Sequence, residues 1–352
     1  MKIGIVTQPL YDNYGALLQN WALQQVLLKL GHQPITIDYL PKQSFVRHLF
    51  SCLLSILRYQ FKFRRRKFPQ KELVRNKEFE RFVTQYINKT DVCHKYKNYI
   101  IKKYGIEAII VGSDQVWRPV YNGRVLYDMF GRFARYTPLF SYAASFGVDN
   151  WEYNKRQEFV CRKLISSFKG VSVREKSAVQ LCQDHFYQKA HLVLDPTLLL
   201  SDKDYSGLLK GIPAPNENYL LAYILDTNEE KMNIISSIAE KKRLYIHQIS
   251  IYDKKNKSVE EWLSEFRYSK FIITDSFHGM VFSIIFKTPF LVITNKKRGA
   301  SRFKSLLTTL NLADRMNTTM SDKVVDWESV DKKLADMKKT SCDYIVNTLS
   351  NC

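Results

Sequence analysis

Two α/β domains facing across a cleft, each a parallel sheet wound with helices, are predicted by three observations in this 352-residue chain. Short β-rich runs alternate with stretches of helical apolar spacing, the order that builds a parallel sheet with helices on its faces. The series breaks at a Pro-rich stretch, GIPAPNEN (211–218), and begins again beyond it. At about 100–200 residues per domain the length suits two, and an apolar share of 45% with 21 Phe, 21 Tyr and 5 Trp gives each a core.

The first domain is assigned to residues 1–201. Residues 2–7 read as a strand, QPLYDNYG (8–15) as a polar turn, and 16–30 as a helix stopped by Gly31. A strand at 35–38 completes a βαβ unit, whose strand ends are where doubly wound sheets bind ligands. Further strands fit 108–111, 139–143, 170–173 and 192–194. Between Ser44 and Phe82 the alternation breaks, where an apolar run, LFSCLLSIL (49–57), leads into RYQFKFRRRKF. It reads either as a helical excursion with a solvated basic face or as an interfacial helix on anionic lipid, centred on 47–81. Nine apolar residues cannot span a bilayer.

The second domain, 202–352, is read as a strand at 219–225, a helix at 229–240 and a strand at 244–249. A helix opened by the capping box Ser258 to Glu261 follows, then a strand at 271–274, a helix from Gly279 to 286 and a strand at 290–293. The domains are therefore both Rossmann-like. A helix at 302–310 and an amphipathic tail helix at 329–349 remain, the latter able to cross back to the first domain.

The chain carries 54 basic and 34 acidic residues, a net charge of +20, and its distribution is uneven. Residues 1–200 hold +16 and residues 201–352 hold +4, with +12 in 47–103 alone. Such a balance favours anionic partners, and the sequence has no nucleic-acid-binding motif, so nucleic acid is not expected. There is no signal-peptide core and no run of roughly 18 apolar residues, and the six cysteines form no CxxC pair, so a cytoplasmic protein with free thiols is expected. GxGxxG, GxxxxGK[ST] and HExxH are all absent and the seven histidines lack metal-ligand spacing, so no cofactor or metal is expected.

Four segments carry candidate chemistry. In KFIITDSFHGMVFSIIF (270–286) a buried strand ends at Thr274, Asp275 to His278 form a turn, and Gly279 begins a helix. Such a turn aims backbone N–H groups and a positive helix end at one spot, and His278 titrates in the right range to carry a proton. The plainer reading is a histidine that fills the junction. In VSVREKS, Arg174 ends a strand and offers a fork for carboxylate or phosphate, or else makes a surface ion pair. In IIVGSDQVWR, Asp114 suits a sugar hydroxyl and Trp117 a sugar face, although a helix cap and a packing residue explain them equally. Beyond the strand at 290–293, TNKKRGASRF brings Lys296, Lys297, Arg298 and Arg302 to the same edge as His278, or forms a solvated basic loop.

DNYGALLQNWALQQVLLKLGH, VGSDQVWR, SYAASFG, VSVREKSAVQL, LDPTLLL, TDSFHG and NKKRGASRF, taken in that order over residues 12–303, resemble the polysaccharide pyruvyl transferase family of bacterial surface and capsular polysaccharide loci. The resemblance implies the two-domain architecture of GT-B glycosyltransferases. It also implies transfer of a pyruvyl group from phosphoenolpyruvate to two hydroxyls of a saccharide, free or lipid-linked, without a metal or redox cofactor. On that basis His278 and Arg174 are the catalytic candidates. Ser276, Gly279, Lys297, Arg298 and Arg302 are candidates for the donor, and Asn13, Asp114, Trp117 and Asp275 for the acceptor. Many members carry an arginine two positions before the histidine, where this chain has Ser276. Two alternatives stay open: a glycosyltransferase with a nucleotide-sugar donor, and a non-catalytic membrane-surface protein.

Overall fold

The computed structural model describes residues 1–41, 75–134, 136–250, 257–294, 300–316 and 323–352. The apolar run at 49–57 and the basic stretch after it lie outside the described residues, as do Lys296, Lys297 and Arg298.

The first sheet has the order β2 (Gln33–Thr36), β1 (Lys2–Val6), β3 (Ala108–Val111), β4 (Leu139–Ser141), every pair parallel. Bridges from Phe140 to Gly170 and from Ala144 to Val173 extend it to β5 (Ser172–Val173), which pairs with β6 (His191–Leu192). The second sheet has the order β10 (Phe290–Val292), β9 (Phe271–Thr274), β7 (Tyr219–Tyr223), β8 (Tyr245–Ile249), again all parallel. Central strands read AIIV, YLLAY and FIIT, and every residue in them is buried. Strands covered on both faces have no need of polar alternation, which is why β-branched runs fold this way.

Helix α1 (Tyr14–Lys29) joins the two halves. Thirteen of its sixteen residues are buried, because one side lies on the first sheet and the other meets the second domain. Tyr14 stacks on Trp262 at 5.2 Å, and Trp21 meets Tyr205, which in turn contacts Phe282. Three polar side chains inside this helix are paired: Gln19 donates to Thr7 Oγ1, Gln24 donates to Thr36 Oγ1, and Asn20 accepts from the same threonine. One apolar core therefore runs from Ile3 and Leu17 through Trp262 to Phe282 without a break. Burial of a large apolar side chain contributes roughly 1.5–3 kcal/mol, so this seam is a major part of the stability.

The segment that begins at Arg75 is anchored at the same sheet. Arg75 is buried, donates to Leu10 O at 2.6 Å, and pairs with Asp38 and Glu80. Helix α2 (Lys77–Tyr86) follows, extending past the limit of 82 expected for the excursion. In the second half, α3 (Glu229–Lys242) and α4 (Val259–Tyr268) flank the sheet, the latter opened by the Ser258 and Glu261 capping box. Helix α5 (Phe277–Ile285) begins two residues earlier than its sequence suggests, because Ser276 is its cap and accepts from Gly279 N. His278 thus belongs to the helix's first turn. Helix α6 (Ser301–Thr309) comes next. The terminal helix α7 (Trp327–Leu349) lies against the first sheet's domain, where Tyr344 donates to Ser141 O, Ser341 Oγ accepts from Leu194 N and Lys338 donates to Leu200 O.

Candidate functional site

The carboxyl ends of both sheets meet at a cluster of buried charges. From the first sheet come the β3 turn with Ser113 and Asp114, Arg174 after β5, and Asp195 after β6. The second contributes Phe277 and His278 at the start of α5, with Arg302 in the first turn of α6. Of these, Arg174, Asp195, His278 and Arg302 are each less than a tenth exposed.

Arg174 is the hub. Its Nη1 donates to Asp195 Oδ2 at 2.8 Å and its Nη2 to Asp114 Oδ1 at 2.9 Å, while its guanidinium lies 4.8 Å from the centre of the Phe277 ring. Arg302 approaches the same ring at 5.5 Å. Both terminal nitrogens of Arg174 thus donate to carboxylates. A guanidinium between two carboxylates is a bidentate anchor that fixes them.

Asp114 occupies the left-handed region at φ 74°, an unusual conformation for a residue with a Cβ and one found at constrained sites. That conformation turns its carboxylate to Arg174. Asp195 caps the short helix Pro196–Leu199 and is held on both oxygens: Oδ1 accepts from Thr197 N and Oγ1, and Oδ2 from Arg174, with Ser113 Oγ at 3.0 Å. Burial alone would raise both acids. Burial is the largest single influence on each, and it takes the combined pull of several neighbours to overcome it: Arg174, His278 and Arg302 for Asp114, and His278, Arg174 and the Thr197 hydrogen bond for Asp195, so both lie below the ordinary range. Glu175 differs: burial pushes its carboxyl up against the pull of Arg174, although Ser145 Oγ donates to it at 2.7 Å.

His278 sits across the cleft from these acids, with Nε2 at 3.8 Å from Asp195 Oδ2. Burial lowers its pKa below 6.5, the two aspartates oppose the shift, and Arg174 and Arg302 add to it, so the free site holds a neutral imidazole at pH 7. The ring rests on the start of α1, where a Cβ on Gly15 would fall 2.0 Å from Nδ1. Burial, followed by repulsion from Arg174, brings Arg302 down to about 10.

Other sequence candidates are used differently. Trp117 is wholly buried, stacks on Phe130 at 5.1 Å and donates to Met129 O, which leaves no face for a sugar and corrects that expectation. Asp275 is corrected as well: its oxygens accept from Leu225 N, Asp226 N and Lys231 Nζ, so it ties the β7 loop to β9 instead of meeting an acceptor. Asn13 caps α1 by accepting from Gly15 N and Ala16 N. Ser276 N donates to Thr274 Oγ1 and Gly279 N to Ser276 Oγ, so neither amide is free for a donor. Gly279 is there for space, since a Cβ would lie 2.3 Å from Thr274 Oγ1.

Sequence reasoning passed over Asp195, Gly15 and Phe277. The signal for Asp195 was an acid shortly after a strand and just before Pro196, the arrangement of a helix cap at a sheet's ligand-binding edge.

These features define the class: a two-domain α/β protein of GT-B type with a charged interdomain cleft. UDP-GlcNAc 2-epimerase from Methanocaldococcus jannaschii shares the fold at TM-score 0.51 and 12% identity, over 100% of both chains. The Neisseria meningitidis UDP-GlcNAc 2-epimerase bound to UDP-GlcNAc does so at 0.50 and 10%, also over 100% of both. By sequence, the chain belongs to the polysaccharide pyruvyl transferase family, whose profile matches residues 13–297. A curated relative, general stress protein 30 of Bacillus subtilis (strain 168), is 25% identical over 174 residues, 44% of this chain and 48% of the relative. The chain thus spans about half the length of that relative.

Proposed function

We propose that the protein transfers a pyruvyl group from phosphoenolpyruvate to two hydroxyls of a surface-polysaccharide sugar, releasing phosphate and leaving a pyruvate ketal. The observation that carries this reading is the convergence of His278, the start of α1 and the Asp114, Arg174 and Asp195 array at facing strand ends. Family membership supports it.

In the proposed sequence the donor's negative charge raises the basicity of the His278 imidazole, and the resulting imidazolium protonates the methylene carbon. C2 becomes electrophilic and takes the first sugar hydroxyl, whose proton passes to Asp114. The second hydroxyl then takes the place of the phosphate at C2 and closes the ketal, its proton leaving on the departing phosphate. Arg174 keeps Asp114 ionised and in place for its part. Donor charge is balanced by Arg302 and by the positive ends of α1 and α5, and the family pattern adds Lys297 and Arg298.

Phosphate release from phosphoenolpyruvate is the test, measured over a broad panel of acceptor glycans. It is expected with at least one acceptor and lost in His278→Ala, and no release across the panel removes the donor assignment. A nucleotide-sugar transferase is favoured by one observation, Ser276 in the place where many members have arginine. Calorimetry separates the two, since tighter binding of UDP than of phosphoenolpyruvate supports the second. We also place the reaction at the cytoplasmic membrane face, on the +12 charge of residues 47–103. No helix among the described residues is long and apolar enough to cross a membrane, and flotation with anionic liposomes checks the surface contact.

A further inference from the structure

The two nitrogens of the His278 ring meet different surroundings. Nε2 is buried, has no hydrogen-bond partner, and faces Asp195 Oδ2 at 3.8 Å. Nδ1 lies on the other side, over Gly15 at the start of α1. The ring, from the second domain, therefore lies between two features of the first, the Asp195 carboxylate and the N-terminus of α1, where an anionic donor is favoured.

Asp195 is unusually well fixed for this place. Thr197 N and Oγ1 donate to Oδ1 at 3.1 and 2.7 Å, and Arg174 Nη1 donates to Oδ2 at 2.8 Å, with Ser113 Oγ beside it at 3.0 Å. A carboxylate held by several donors cannot swing away, and burial gives its charge a long reach. The other charged groups around the ring are Asp114 and Arg174 from the first sheet and Arg302 from α6. Two carboxylates and two guanidiniums cancel, so loss of Asp195 alone tips the balance.

We propose that Asp195 is the positioning residue for His278: it accepts the Nε2 proton, selects the Nε2–H tautomer, and leaves Nδ1 as the atom that carries the transferred proton. The logic is that of any imidazole whose second nitrogen is set by the hydrogen bond of the first. At 3.8 Å the pair interacts electrostatically in the free protein, which biases the tautomer before substrate arrives, and catalytic contacts of this kind tighten once substrate is bound. The inference rests on the transferase reading only for the proton's destination. In that step the Nδ1–H bond breaks and leaves its electron pair on nitrogen. The proton joins the donor's methylene carbon through the π pair, and the ring returns to its neutral Nε2–H form.

Nitrogen-15 spectra of histidine-labelled protein, with His278→Gln to assign the resonances, read the tautomer directly. The wild-type ring is expected as Nε2–H above its titration midpoint. Asp195→Asn is expected to lower that midpoint by roughly one to two pH units and to erase the tautomer preference, and Asp195→Glu to restore part of both. A wild-type ring protonated at Nδ1, or a midpoint unmoved in Asp195→Asn, overturns the proposal. Should Asp195→Asn fail to fold, the wild-type tautomer decides alone. None of these readings needs a substrate, so a protein inert to phosphoenolpyruvate would defeat the proposed function and leave the Asp195 result standing.

Discussion

Gly15→Ala sets two physical effects against each other. Gly15 lies in the first turn of α1, where alanine in place of glycine ordinarily stabilises a helix by about 0.5–1 kcal/mol. The new Cβ, however, would stand 2.0 Å from His278 Nδ1, 2.4 Å from Cγ and 2.7 Å from Cε1. Comfortable contact between such atoms is about 3.5–4.0 Å, so the ring has to retreat by roughly 1.5–2 Å. Forcing one methyl group into a filled site costs about 1–3 kcal/mol, which outweighs the helix gain and leaves a net loss of about 1–2 kcal/mol. Catalysis suffers more, since a misplacement of about 1 Å can cost on the order of 10²-fold in rate. Thermal unfolding and phosphate release measured on the same preparation are the assay. A Gly15→Ala protein with a higher Tm and wild-type turnover would refute the placement of His278 on α1.

Other outcomes follow from the same cluster. Because His278 has a lower pKa folded than unfolded, the unfolded chain takes up the extra proton as pH falls below 6.5. Stability is thus present above that pH and lost below it, and His278→Gln is expected to flatten the slope in denaturant melts between pH 5 and 7, on the order of the unperturbed histidine range. Arg174→Met leaves Asp114 and Asp195 facing each other without their cation, and urea titration is expected to show a loss of about 3–5 kcal/mol. Trp117→Phe empties part of the core and breaks the bond to Met129 O, costing about 1–3 kcal/mol. Its KM for a saccharide acceptor should match wild type, against a large rise if Trp117 were a sugar platform.

Much of the fold was legible because it rests on local pattern. Runs such as AIIV and FIIT announce buried parallel strands, Gly31 ends α1, and the Ser258 and Glu261 box marks the start of α4. Of the site, His278, Arg174 and Asp114 could be picked out as polar residues at strand ends, and they do converge. What the sequence could not convey was who holds whom. Trp117 next to Asp114 looks like a ligand-stacking residue in one dimension, yet its neighbours Phe130 and Phe146 come from turns further along the chain and wrap it. Asp275 is three residues from His278 and points the other way, because Lys231 on α3 draws it. Asp195 was hidden for the opposite reason, as its meaning depends on a histidine 83 positions later.

The double duty of α1 bears on how the chain can be divided. Its sixteen residues carry a face for each half, so a fragment ending in the GIPAPNEN stretch would display Tyr14 without Trp262, and beside Trp21 the Tyr205 ring without Phe282. The complementary fragment would take with it α7, whose Tyr344 and Ser341 belong against Ser141 and Leu194. Neither piece is a self-sufficient unit, and each is the other's missing core. During synthesis the second-domain face of α1 therefore stays uncovered until Trp262 and Phe282 have left the ribosome.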